Sequence, residues 1–369
     1  MKSSGSCGND FKRGIMNKQR SVIRIVAIVL VAAAFLGPGG CVRSIDQARE
    51  PLPDMVWPGP PEQPRIRFVN AVSWPEDVQI RPGLFGRFFR YLIGKEETPM
   101  VAPYGVETDE SGRLYVVDTF LRTVHVFDVR GNGYYPFPAD KANLVSPIDI
   151  GIDDARGKIY VSDSKQGVVK IFEGAGKKFV GEIGKGLLQR PTGIAVNAKT
   201  AELLVVDTRS AHILRYNLTD HHLKGKFGGS GAAAGKLNYP TNICVAEDGI
   251  ILVSDSLNFR IQMFSPEGSY LGGFGSLGDG PGYFSRPRGV ATDSDGNIYV
   301  VDGLFDNVQI FDKEFRLLMA FGGPGAGYGE FWLPTGIYID KNDRIYVSDS
   351  HNKRVQIFQY LKGDAVLKK

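Results

Sequence analysis

Beyond residue 100 the chain alternates short apolar runs with polar turns, and the alternation recurs. In one stretch the runs are NICVA, IILVSDS, RIQMF and YLGGFG, between residues 242 and 275. They are rich in Val, Ile and aromatics and bounded by Gly, Asp, Asn and Ser, the pattern of β-strands. Several are apolar on consecutive residues, which fits sheets covered on both faces. Two other stretches differ. Ile25–Leu36 is an unbroken apolar run, shorter than the roughly 20 residues a transmembrane helix needs. In residues 82–95, Phe85, Phe88, Phe89 and Leu92 fall at helical spacing on one face, with Arg87 and Arg90 elsewhere.

The recurrence has two independent landmarks. Each repeat opens on a proline, at Pro103, Pro147, Pro191, Pro240, Pro287 and Pro334. An Asp closes the second run, at Asp118, Asp163, Asp207, Asp255, Asp302 and Asp349. The prolines are spaced 44, 44, 49, 47 and 47 residues apart. Four strands repeated at this period describe propeller blades packed face to face around an axis. The expected fold is all-β, a six-bladed β-propeller of four-stranded antiparallel blades. Little follows the last repeat, so strand-like residues 65–74 are expected to supply the outer strand of the last blade. GNIYVVDGLFDNVQIF (296–311) and DRIYVSDSHNKRVQIF (343–358) resemble the NHL repeat family. That resemblance implies a six-bladed propeller over residues 103–358 and binding of proteins or other macromolecules.

The start of the chain reads as an address. Lys2, Lys12, Arg13, Lys18, Arg20 and Arg24 precede the apolar run, and small residues follow it up to Cys41. This is the layout of a secretory signal. It resembles a bacterial lipoprotein signal, which implies cleavage before Cys41 and lipidation of that cysteine. Pro38 stands where such signals usually carry Leu. A plain signal peptide or an uncleaved anchor is the alternative. Residues 41–64 hold Pro51, Pro53, Pro58, Pro60, Pro61 and Pro64 and read as a stiff tether. The organisation expected is signal 1–40, tether 41–64 and propeller 65–369.

Charge then changes meaning. The whole chain has 44 Lys+Arg against 40 Asp+Glu, +4 at pH 7. Residues 1–40 carry six of those bases and one acid, so cleavage leaves −1. Nucleic-acid binding is therefore not expected of the exported domain. Three cysteines exclude a disulfide scaffold.

Candidate chemistry lies where the repeats deviate. Two residues after each opening proline stand Gly105, Asp149, Gly193, Asn242, Gly289 and Gly336. Asp149 and Asn242 break the glycine rule and place oxygens near the axis, with Arg288 beside the equivalent glycine of its own repeat. They are candidate channel ligand-binding residues, and Asp149 and Asn242 are candidate metal ligands. Calcium usually takes 6–8 oxygens, and one Asp and one Asn fall short of that. No cofactor is therefore expected, with calcium the one metal the channel leaves open; a polar channel lining is the alternative. The histidines show no inward set of three, and there is no Gly-x-Ser-x-Gly elbow. Cys244, aligned with Ala195 and Ala291, reads as a small packing residue.

The function expected is a non-enzymatic cell-envelope scaffold: monomeric, exported to the periplasmic side, anchored by lipid to the outer membrane, and binding a protein partner. Phe85, Arg87, Phe88, Phe89, Arg90 and Leu92 are its candidate docking residues. A lactonase- or lyase-like enzyme using the central channel is the alternative.

Overall fold

The computed structural model describes residues 51–80, 100–138 and 143–362. Cys41 and the candidate docking segment 82–95 lie outside them. Among the described residues six antiparallel sheets follow one another, each starting at one of the six prolines. The first strand of each blade contacts the first strands of the two neighbouring blades, closing a ring of inner strands around an axis. The blades are thus numbered 1 to 6 from Pro103.

Blade faces pack through paired apolar layers. Val205 and Leu203 of blade 3 meet Tyr160 and Ile171 of blade 2, all fully or nearly fully buried. This explains why the second strands, such as LYVVD and ELLVVD, are apolar on both faces.

The repeated Asp holds each blade's corner. Asp118 accepts from the Val101 and Ala102 amides at 2.6 and 3.2 Å, and from the Phe120 and Leu121 amides at 3.0 and 2.8 Å. It thereby ties the segment leading into a blade to the turn between its second and third strands. Asp163 and Asp302 make the same four kinds of bond. The Gly-rich loops are pinned as well: Leu237, Phe284 and Phe331 are fully buried, and Gln262, Gln309 and Gln356 donate to carbonyls of these loops at 2.6–2.8 Å.

Blade 6 is completed from the other end of the chain. Ile66–Val72 pairs antiparallel with Arg354–Tyr360, Phe68 opposite Phe358. One expectation needs correction. The tether does not run free to residue 64, because Val56–Trp57 pairs with Ile66–Arg67 as a fifth strand. The Trp57 ring sits 5.8 Å from Phe358 and 6.0 Å from Phe321. The half-buried Trp57 ring supplies the apolar and aromatic contacts that hold this segment against the blade.

Candidate functional site

Fourth-to-first-strand connections and second-to-third-strand turns emerge at one end of the ring, as antiparallel order requires. We call this end the loop face. The axis runs from it down through the inner strands.

Those strands approach so closely that most blades admit no side chain at the glycine position. A Cβ on Gly193 would stand 2.7 Å from Asn242 Cα, and one on Gly289 would stand 2.8 Å from the Ile337 nitrogen. Asp149 and Asn242 instead carry side chains there and use them to bridge blades. Asp149 Oδ2 accepts from the Ile194 amide at 3.0 Å. Asn242 Oδ1 accepts from the Val290 amide at 3.1 Å, and its Nδ2 donates to Asp149 Oδ2 at 3.4 Å. The two deviating residues therefore meet across the channel. They meet as donor and acceptor: Asn242 turns its nitrogen, not its oxygen, toward the carboxylate. Among the described residues no group of three or more His, Cys, Asp or Glu is placed to hold a metal ion.

Asp149 is 8% exposed, and burial pushes its carboxyl up to about 7. Sequence comparison missed its companion. Glu107, half-buried, lines the same cavity of about 150 Å³. Its carboxyl is raised well above the usual range, first by burial and then by the nearby Asp149. The signal was present four residues after each opening proline, where Glu107, Gly151, Ala195, Cys244, Ala291 and Tyr338 stand. Four are small, and Glu107 and Tyr338 are not. Cys244 is half-buried and faces the same cavity, with burial pushing its thiol up to about 12.

Arg288 is not part of this group. It lines a separate cavity of about 530 Å³ at the loop-face end, with Tyr104, Arg190, Tyr239 and Arg286. His125 is buried away from the axis, its Nδ1 2.7 Å from the Tyr134 hydroxyl.

The NHL repeat family matches residues 284–311 and 331–358, which are the corner and the first three strands of blades 5 and 6. Blades 5 and 6 of this six-bladed propeller are NHL repeats. Solved structures share this propeller fold at low identity. Virginiamycin B lyase from Staphylococcus aureus is 14% identical with a TM-score of 0.53, covering 71% of this chain and 96% of that one. An auxiliary nutrient binding protein from Bacteroides thetaiotaomicron is 15% identical with a TM-score of 0.58, covering 72% and 70%. A protein of unknown function from the same organism is 16% identical with a TM-score of 0.57, covering 72% and 70%. No curated protein sequence matches this chain. At these identities the likeness concerns fold alone.

Proposed function

We propose that this propeller is a non-enzymatic interaction scaffold of the bacterial cell envelope, binding a protein partner through its loop face. One observation carries the reading. Two residues after the repeated Asp, the blades diverge: Phe120, Leu257 and Leu304 in blades 1, 4 and 5, but Lys165, Arg209 and His351 in blades 2, 3 and 6. Phe120 is 71% exposed, and Leu304 and the neighbouring Trp332 are each 53% exposed. The architectural residues around them are buried and repeated, whereas these are exposed and differ. An apolar arc over blades 4, 5, 6 and 1 beside basic residues on blades 2 and 3 suits a protein surface.

The test is cross-linking in solubilised envelope membranes. Phe120→Ser combined with Leu304→Ser should lose the partner recovered by the wild type, with the melting temperature unchanged. Recovery of the same partner by both proteins would sink the proposal. Export and anchoring belong to the same proposal. Cys41→Ala should move the protein from the membrane to the soluble fraction, and unchanged membrane retention would count against lipidation. The channel reading is supported by the raised carboxyls of Asp149 and Glu107. Their cavity, however, lies below the roughly 300 Å³ at which small-molecule sites usually begin.

A further inference from the structure

Around the loop-face end of the axis, hydroxyl groups staple one blade to the next. The Thr192 and Thr208 hydroxyls lie 2.8 Å apart, and Thr208 donates to the Pro240 carbonyl at 2.7 Å. Thr241 and Ser256 repeat this at 2.7 Å, and Ser256 donates to the Pro287 carbonyl at 2.6 Å. The residue after the repeated Asp supplies the stapling group in blades 3 and 4; it is Thr or Ser in five blades, and in blades 1 and 2 its hydroxyl bonds back to Ala102 and Ser146 of its own blade's entry. Blade 5 departs twice at this one place. The hydroxyl position is Gly303, and the position facing it, Thr192 and Thr241 in other blades, is Arg288.

The two departures are one feature. A Cβ on Gly303 would stand 2.7 Å from Arg288 Nε and 2.8 Å from its Cδ. Glycine thus leaves the room in which the guanidinium stem lies. Arg288 is half-buried, and burial lowers its pKa, so the charge sits in a partly desolvated place. Its nearest carboxylates, Asp302 and Asp306, are committed to backbone amides: Asp302 to Ser285 at 2.7 Å, Asp306 to Leu333 at 2.7 Å. Asp149 lies deeper, in the other cavity.

Arg286 and Arg190 border the same cavity, and the repeated Asp fixes where each leaves the backbone. The Arg286 amide donates to Asp302 at 3.0 Å, and the Arg190 amide donates to Asp207 at 2.7 Å. Arg190 lies over the Tyr239 ring, 5.4 Å from its centroid. Arg190 and Arg286 are exposed at the rim of this cavity while Arg288 is half-buried, and elsewhere in the propeller half-buried arginines are paired: Arg260 with Asp255 at 2.8 Å and Arg215 with Glu202 at 2.8 Å. Among the described residues, no carboxylate pairs with Arg190, Arg286 or Arg288. Three cations facing one cavity repel each other and invite an anion.

We propose that the loop-face cavity bounded by Arg190, Arg286 and Arg288 binds a small oxyanion ligand bearing carboxylate or phosphate groups. Arginine's planar donor fork suits such oxygens, and Tyr104 and Tyr239 add ring walls and hydroxyls. About 530 Å³ is ample for a ligand the size of citrate. Leu257 and Leu304 border both this cavity and the proposed protein-binding surface, but the anion is held by the arginines, so the test below reads this site separately.

The experiment is titration calorimetry of the full propeller with inorganic phosphate and, separately, with citrate at low ionic strength. Saturable binding of at least one is expected, and the preferred anion says whether the ligand class is phosphate or carboxylate. Arg288→Gln should weaken it by about tenfold or more. Gly303→Ser keeps all three arginines but displaces the Arg288 stem, so it should weaken binding too. Arg316→Gln, on an exposed outer turn, should leave it unchanged. Melting temperatures confirm folding of each variant. No saturable binding of either anion below about 10 mM, or wild-type affinity in both Arg288→Gln and Gly303→Ser, would overturn the proposal.

Discussion

Deleting residues 65–74 is expected to abolish the cooperative native transition rather than merely lower its midpoint. Ile66 and Val72 are fully buried in this strand and Phe68 is 4% exposed. Each such side chain contributes about 1.5–3 kcal/mol by burial, so the three together rival the 5–15 kcal/mol that separates a whole domain from its unfolded state. The deletion also strips Phe358 of Phe68, whose ring lies 5.7 Å away, and removes the strand on which Trp57 is carried. The backbone edge of Arg354–Tyr360 would then lie open to pairing with another chain. Circular dichroism melting and size-exclusion chromatography read the outcome. A deletion variant that melts as sharply and as high as the wild type would show that the ring does not depend on this closure. A milder variant separates loss of packing from loss of the strand: Phe68→Ala should cost about 3–5 kcal/mol while leaving the fold intact.

The second expectation concerns pH. Asp149 has its carboxyl raised by burial to about 7, and Glu107 is raised in the same direction. An acid whose folded pKa lies above its unfolded value holds its proton better in the native state. Its contribution to stability is therefore complete below the unfolded pKa and disappears as pH rises through the folded one. Between pH 5 and pH 8 the propeller should become less stable, by an amount on the order of 2.5 kcal/mol for Asp149 at 1.36 kcal/mol per pKa unit. Asp109, Asp118 and Glu202 are shifted downward, so they act below this window and do not mask it. Asp149→Asn keeps an oxygen for the Ile194 amide and removes the charge. It should flatten the profile and raise stability at pH 8. Urea unfolding at the two pH values measures both, and a slope unaltered by the substitution would refute the assignment.

Much of this architecture was visible along the chain because it is repeated. The six prolines and six aspartates recur at fixed intervals, and each aspartate's bonds are local or run to the neighbouring loop. Pattern alone suffices when a residue does the same thing six times. The glycine rule likewise pointed to Asp149 and Asn242. That they touch each other was not legible, because they lie two blades apart and meet only across the closed ring. Glu107 escaped for a different reason: it deviates at another position of the inner strand, where small residues hide the ring. Trp57 escaped because a two-residue strand has no period to detect. Arg288 stood out in the sequence, but its setting depends on Gly303, a residue in the turn after the next strand whose missing side chain makes the space. Sequence spacing reports what a residue is, whereas such vacancies belong to the neighbours.

The pairing of Phe68 with Phe358 also sets an order of events in time. Blade contacts join residues close in sequence and can form as soon as each blade is made. The closing pair joins residues nearly the whole length of the propeller apart, and bringing distant segments together carries the larger entropic penalty and the slower rate. Blade 6 cannot be finished until Arg354–Tyr360 has been synthesised. Ring closure therefore has to wait until Arg354–Tyr360 have left the ribosome.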